Sequence, residues 1–213
     1  MKTSTVQLFQ RTLLVAGIAL VGVSALAMID RSVSSRHALV AFDRARTIAP
    51  APRDPNIPMA VLTINRLRIK VPVFEGTDEQ VLSHGAGWIA GTTRPEESGN
   101  IGIAAHRDSF FYPLRDIAEG DAIELETLGR RWTYVVDQTE IVTPQQVDVL
   151  GPRAAPSLTL VTCYPFHFVG AAPRRFIVHA RLSAAPDQVT VSLATQSGIA
   201  GALVDQRKLR REE

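Results

Sequence analysis

The chain of 213 residues contains a single cysteine, Cys163, so no intramolecular disulfide can form. Aromatic residues make up only 6% of it, and the formal net charge is only +2. Because no basic stripe is interleaved with aromatic side chains, the sequence predicts no nucleic-acid binding. The acidic residues are dispersed, and no two histidines stand at a ligand spacing with a third partner. We therefore predict no metal site and no required cofactor, and calcium binding by loop carboxylates stays an open question.

The hydrophobic content of 46% and charged content of 21% are typical of a chain that is mostly globular. Residues 12–29 carry no charged side chain, and these 18 residues are just long enough to span a bilayer as a helix. Two interpretations compete for them. One is an uncleaved signal anchor held in membrane lipid, and the other is a removed signal peptide, because residues 25–27 have the small-x-small form of a cleavage site. We favour the anchor, with residues 1–11 as a cytoplasmic N-terminus.

Residues 30–58 connect this segment to the rest of the chain. Residues 32–46 allow a juxtamembrane helix, and residues 48–58 contain four prolines, which is typical of a stiff, extended linker. The linker predicts a domain boundary, with a folded domain over residues 59–182. Beyond it, residues 183–213 are rich in Ala and Ser and end in a charged tail, so we predict a peripheral or disordered segment.

Within residues 59–182, short apolar and β-branched runs alternate with Gly and Pro. About eight such strands at short spacing favour a mainly β fold, either a barrel or a sandwich. The predicted strands are residues 59–64, 67–71, 101–105, 121–126, 131–136, 140–142, 158–162 and 176–180. Short helices are predicted at residues 78–84 and 111–117, with one more turn at residues 145–150.

Cys163 comes directly after the predicted strand 158–162 and just before Pro165, which cannot donate to a sheet ladder. A thiol at the end of a rigid element beside a loop suits a nucleophile, although a lone cysteine is also often a small core residue. Among the five histidines, His106 ends the apolar run 101–105 in the same way. Two strand ends that meet at one rim of a barrel would bring His106 to the thiol. A histidine in that position would increase the fraction of the cysteine present as thiolate.

A positive group precedes the last predicted strand, where Arg174 and Arg175 are adjacent. An arginine is always charged, and its planar fork of donors can stabilise a developing oxyanion or hold a substrate carbonyl. Because successive strand residues face opposite sides of a sheet, only one of the two can face a site.

Three motifs resemble those of the sortases, which are membrane-anchored cysteine transpeptidases. They are His106 in IGIAAHRDSFF, the run Thr159-Leu160-Val161-Thr162-Cys163, which matches the family's TLxTC signature, and Arg175 in APRRFIV. The continuation CYPFHFVGAAPRRFIV resembles the class D-like sortases and the related class found in Gram-negative bacteria. The resemblance covers about residues 60–182, which is the whole predicted domain.

The resemblance implies a closed eight-stranded β-barrel with short peripheral helices, preceded by the transmembrane helix. It implies that Cys163 is the nucleophile, His106 the general acid and base, and Arg175 the group that binds the oxyanion or positions the substrate. Arg175 is chosen over Arg174 because the family arginine directly precedes the apolar strand residues. Thr162, beside the nucleophile, is expected to help seat the substrate.

The resemblance also implies substrates and a location. The substrates would be exported proteins with a C-terminal LPXTG-like signal, cleaved through a cysteine thioester, with transfer of the acyl group to an amine of the cell envelope or of another protein. The enzyme would be a single-pass protein of the cell membrane with its catalytic domain on the extracytoplasmic side. Two alternatives stay open, an exported cysteine peptidase that only hydrolyses and a non-catalytic anchored β-barrel that binds wall or partner proteins.

Overall fold

The structure is a computed structural model, and it describes residues 2–47, 57–167, 170–183 and 187–188. Most of the predicted proline-rich linker, residues 48–56, lies outside the described residues. The same holds for residues 184–186 and 189–213 of the predicted tail.

The described residues form nine strands, and eight of these close into a barrel. The strands are β1 (Ala60–Ile64), β2 (Ile69–Glu75), β3 (Ala86–Trp88), β4 (Asn100–Ala104), β5 (Ala122–Glu126), β6 (Arg130–Val142), β7 (Ser157–Tyr164), β8 (Arg174–Leu182) and β9 (Asp187–Gln188). Their hydrogen-bonded order is β5-β1-β2-β3-β4-β7-β8-β6-β9, and an additional pairing of β5 with β6 closes the barrel. The predicted fold class is confirmed.

The eight strands are not quite the eight that the sequence predicts. The predicted strands 131–136 and 140–142 are one strand, β6, with a register irregularity between Val136 and Gln138. The eighth strand is β3, which was not predicted because three residues are too short to show a period. The short β9 lies within the predicted tail and pairs with Arg130 and Arg131 at the start of β6.

The helices are few and short apart from the first. A single helix, α1 (Lys2–Thr47), contains both the charge-free run and the predicted juxtamembrane helix. Its window Phe9–Leu26 has a mean hydropathy of 1.7, so by length and composition it could cross a membrane. The helix predicted at residues 78–84 is α2 (Glu79–His84), and the segments predicted at 111–117 and 145–150 contain 3-10 helices at Tyr112–Asp116 and Val147–Leu150.

Apolar side chains from every barrel strand fill the interior, as the alternation of β7 illustrates. Leu158 and Leu160 point inward and are fully buried, so Thr159, Val161 and Cys163 lie on the outer face. The other interior residues include Leu62, Ile64, Val71, Val73, Ile101, Ile103, Ile123, Leu125, Tyr134, Val136, Val178 and Ala180. The barrel interior is therefore a packed and largely apolar core.

Two of the strand pairings are parallel, β2 with β3 and β4 with β7. In β4 and β7, Asn100 pairs with Ser157 and Ala104 with Val161. Because the strands run in the same direction, their carboxyl ends reach the same rim of the barrel. The two loops that follow β4 and β7 therefore leave from neighbouring points.

The half of α1 that follows the apolar window packs against β2 and α2. Ser35, Ala38 and Phe42 are buried there, at the i, i+3 and i+7 spacing of one helix face. The barrel is thus contacted directly by the helix that carries the candidate membrane span.

An ion pair joins the turn between β1 and β2 to the segment that leads into β5. Two nitrogens of Arg66 donate to the two carboxylate oxygens of Asp121, which is buried and also accepts the backbone N–H of Ala118 at 2.8 Å. The hydrogen bond from Arg66 is the main cause that holds the pKa of Asp121 below its ordinary value. The ionised form of Asp121 therefore stabilises the folded state.

We expect the Asp121→Asn variant to be less stable than the wild type at neutral pH. Since the folded pKa of Asp121 is lowered, its contribution is complete above the ordinary carboxyl pKa of ~3.9 and is lost as the pH falls through the lower, folded value. Urea unfolding at a series of pH values, followed by the fluorescence of the buried Trp88 and Trp132, measures this. The difference in the free energy of unfolding between wild type and Asp121→Asn should be constant from neutral pH down to about 4 and should decrease below that pH.

The matched control is Asp148→Asn, which removes an exposed carboxylate and should leave stability nearly unchanged. If the difference in the free energy of unfolding between wild type and Asp121→Asn stays constant below pH ~4, the ionised Asp121 is not its source.

Candidate active site

Cys163 is the last residue but one of β7, and Pro165 follows the end of the strand. Its thiol is free and half-buried. Since Thr162 points into the barrel, Cys163 points outward, where a reagent or a substrate can approach. The sequence-based expectation of a thiol at a strand end agrees with this position.

Arg175 lies directly opposite Cys163 in the antiparallel pair of β7 and β8, and Arg174 lies opposite Tyr164. Residues in directly opposite positions share a face, with Cβ atoms about 4.5–5.5 Å apart. Arg175 therefore shares the outer face with the thiol, whereas Arg174 points to the other side. The Nη1 atom of Arg175 donates to the carbonyl oxygens of Arg174 at 3.1 Å and Ala172 at 3.3 Å.

His106 approaches Cys163 from the opposite side, through the parallel pair of β4 and β7. The register continues one residue past β4, because the N–H of Ala105 donates to the carbonyl of Val161 at 3.2 Å. His106 follows Ala105 just as Cys163 follows Thr162, so the two residues leave neighbouring strands at the same level. Adjacent strands lie about 4.8 Å apart. The structure thus brings together Cys163 on β7, Arg175 on the neighbouring β8 and His106 just after the neighbouring β4.

Thr162 joins the ends of β4 and β7 from the inside of the barrel. Its side chain is 2% exposed, and its hydroxyl donates to the carbonyl oxygen of Ala105 at 2.8 Å. This hydrogen bond holds the residue just before His106 against the residue just before Cys163. The predicted role of Thr162 in seating the substrate stays a prediction.

The four other histidines are exposed or make contacts with residues other than Cys163. His37 is exposed on α1, and His84 bonds through Nδ1 to the carbonyl of Gln80 at the end of α2. His167 is exposed and meets the ring of Tyr112 edge-on. His179 is buried on β8.

A chain of polar side chains, buried except for the partly exposed Glu140, joins four strands below the rim. Asn100 on β4 accepts the hydroxyls of Ser157 at 3.1 Å and Thr159 at 2.9 Å, both on β7. The Thr159 oxygen lies 3.2 Å from Nδ1 of His179 on β8, and Nε2 of that ring lies 2.8 Å from the carboxylate of Glu140 on β6. The three strands that carry the site are therefore linked by side chains as well as by their backbones.

Two contacts organise the surroundings of the site. Arg107, next to His106, donates to the carbonyl of Gly170 at 3.0 Å and so ties this loop to the connection between β7 and β8. The carboxylate of Glu79, on α2, lies 3.4 Å from Nε2 of His106. Sequence reasoning missed Glu79, because nothing in the local pattern of α2 shows what the helix faces.

The described residues contain no group of three His, Cys, Asp or Glu side chains arranged to hold a metal ion. The chemistry available at the rim is that of a thiol, an imidazole and a guanidinium. A thiol flanked by a proton carrier and a fixed cation can attack a carbonyl, and the cation can stabilise the oxyanion that forms.

Comparison with known proteins agrees with this geometry. Residues 62–183, more than half of the chain, match the sortase domain. The chain belongs to the sortase family. Sortases are cysteine transpeptidases, so the confirmed resemblance makes this protein an enzyme of that kind.

Among its relatives, this sortase is 30% identical to sortase D of Bacillus subtilis over 140 residues, which span 65% of this chain and 71% of that protein. It is also 30% identical to sortase SrtE1 of Streptomyces coelicolor over 136 residues, but these span only 39% of that longer protein. The similarity to sortase D supports the class D-like resemblance.

Solved sortase structures share the fold. The structure of a Clostridium perfringens sortase D5 transpeptidase superposes with a TM-score of 0.63 at 23% identity, covering 71% of this chain and 99% of that one. A sortase E variant from Streptomyces avermitilis superposes with a TM-score of 0.52 at 33% identity, covering 62% and 91% of the two chains.

Because Arg174 and Arg175 point to opposite sides of β8, their alanine variants test which arginine acts at Cys163. We expect Arg175→Ala to lower kcat/KM for a sorting-signal peptide by about 10²–10³-fold, the loss typical of an oxyanion donor. Arg174→Ala should leave kcat/KM nearly unchanged, because that side chain faces away from Cys163. Equal losses in the two variants would show that the register does not select the functional arginine.

Proposed function

We propose that this sortase is a membrane-anchored transpeptidase that cleaves an LPXTG-like signal through a thioester on Cys163 and transfers the acyl group to an amine. The observation that carries the proposal is the position of Cys163, half-buried on the outer face of β7 between Arg175 on β8 and His106 after β4. A cysteine that served only as core filling would point inward with Leu158 and Leu160 instead.

Acylation begins when the Cys163 thiolate attacks the carbonyl carbon of the scissile peptide bond. A bond forms between Sγ and this carbon, and the negative charge moves to the carbonyl oxygen. Arg175 stabilises that oxygen, since its planar donors share a face with the thiol. His106 gives its proton to the leaving amine as the carbon–nitrogen bond breaks, and a thioester remains on Cys163.

Transfer of the acyl group reverses these roles. An incoming amine loses its proton to His106 and attacks the thioester carbon, so an amide forms as the carbon–sulfur bond breaks and the Cys163 thiolate is released. Water can attack the same thioester, and the fate of the acyl group depends on which nucleophile reaches it first.

The partly exposed outer face next to Cys163 supports the binding of an extended peptide. Val161 on β7 and Ala104 on β4 are paired and only half-buried there. Gly102, two residues before Ala104, lies against Thr92 and Leu150, where a Cβ would come within 2.8 Å of a Thr92 methyl group. The side chains that cover Gly102 thus border one end of this face.

The proposed anchor is the first half of α1, whose large apolar side chains are exposed over the candidate span Phe9–Leu26. An enzyme tethered in this way would meet exported proteins whose own hydrophobic segment still holds them at the membrane. The catalytic domain would lie on the extracytoplasmic side.

We predict that added amine diverts the products of the full-length enzyme from hydrolysis to amide formation. The assay follows a peptide that contains Leu-Pro-X-Thr-Gly, with increasing triglycine as the acceptor, and both products are separated by chromatography. Because the two nucleophiles compete for one thioester, the amide share should rise with triglycine while peptide consumption changes less. Cys163→Ala should abolish both products.

A product ratio that is independent of triglycine would leave only the hydrolytic peptidase. Cleavage of the peptide by Cys163→Ala would contradict the assignment of the nucleophile.

A further inference from the structure

The helix α2 packs beside the rim of the barrel that carries His106 and Cys163. Its N-terminus is capped by Asp78, whose carboxylate accepts the N–H of Val81 at 3.0 Å. At its other end Gly85 lies so close to β2 that a Cβ would come within 2.5 Å of the Pro72 carbonyl oxygen and 2.9 Å of the Phe74 ring. Only a residue without a side chain allows this approach.

The first helix, α1, also contacts α2, and it packs against β2 as well. The buried face of α1 in this half of the helix is formed by Ser35, Ala38 and Phe42. A side chain carried by α2 is therefore held by a rigid element rather than by a loop, and such elements position functional groups more accurately.

Glu79 is the first residue of α2, and its carboxylate Oε1 lies 3.4 Å from Nε2 of His106. In the part of the chain that the structure describes, it is the acidic side chain within ion-pair distance of this ring. The distance is longer than a well-formed N–H···O hydrogen bond, so the contact acts mainly through charge. The Glu79 side chain is 82% exposed and that of His106 is 26% exposed, so salt in the solvent screens the interaction.

We propose that Glu79 is a positioning residue for His106, which it holds at the rim and stabilises in the imidazolium form. A carboxylate beside an imidazole favours the charged ring, and this ring is the form that can give a proton to the leaving amine. It also favours the state in which the proton of the Cys163 thiol has moved to His106, which leaves a thiolate. The proposal rests on the proposed roles of Cys163 and His106.

The test compares Glu79→Gln with the wild type in the full-length enzyme. Exposed ion pairs are weak, so we expect Glu79→Gln to lower kcat by about two- to fivefold at low salt, with KM unchanged. The deficit should shrink when the salt is raised from about 0.05 M to about 0.5 M, because screening removes the wild-type advantage. Glu79→Asp keeps the charge on a shorter side chain and should recover part of the activity.

A second measurement does not depend on the sorting signal. The rate at which iodoacetamide alkylates Cys163, the only cysteine, follows the thiolate share of the enzyme. At low salt Glu79→Gln should slow alkylation by a factor similar to its effect on kcat. This result would stand even if the LPXTG-like peptide proved to be the wrong substrate.

The matched control is Glu97→Gln, which removes an exposed carboxylate in the connection between β3 and β4. It should leave kcat and alkylation unchanged. Wild-type kcat and alkylation rates in Glu79→Gln at low salt would overturn the proposal. A deficit that does not respond to salt and is not relieved by Glu79→Asp would also overturn it, because a structural defect of α2 gives that pattern.

Discussion

The parallel pairing of β4 with β7 is the constraint on which the rest of the site depends. In an antiparallel pair, the end of one strand meets the start of the other, and His106 and Cys163 would lie at opposite rims. Here Ala104 pairs with Val161, so both strands deliver their next residues to one rim. The antiparallel pairing of β7 with β8 then adds Arg175 on the other side of the thiol.

Because each role depends on register, a slip of one residue would turn Cys163 into the barrel and bring Thr162 out. The register is held at both ends of β7. Near the rim, the Thr162 hydroxyl bonds to the Ala105 carbonyl, and further down the buried polar chain through Thr159 and His179 joins β7 to β4, β8 and β6. The two threonines of the TLxTC run thus act on opposite faces of one strand.

Local sequence patterns predicted much of this arrangement. The strand before Cys163, its end at Pro165 and the position of His106 at a second strand end follow from apolar runs and from the chemistry of proline. The family resemblance supplied Arg175, and the two-residue period of a strand explains why its neighbour Arg174 cannot share its place.

The sequence could not show the contacts between distant segments. β4 and β7 are separated by more than 50 residues, and nothing in either strand indicates a parallel partner. The contact of Glu79 with His106 depends on where α2 packs, and the polar chain from Asn100 to Glu140 depends on three registers at once. The sequence predicts two segments where the structure has the continuous α1, because the change from apolar to charged residues at residue 30 resembles a boundary.

We propose that these pairings make Cys163 a nucleophile that carries an acyl group. The most direct test of this proposal is rapid acid quenching of full-length enzyme mixed with a Leu-Pro-X-Thr-Gly peptide, followed by mass spectrometry of the digested protein. We expect the fragment containing Cys163 to gain the mass of the peptide portion before the scissile bond, and we expect hydroxylamine to remove this added mass. Peptide cleavage with no such adduct under any quench time, or an adduct on another residue, would contradict the proposal.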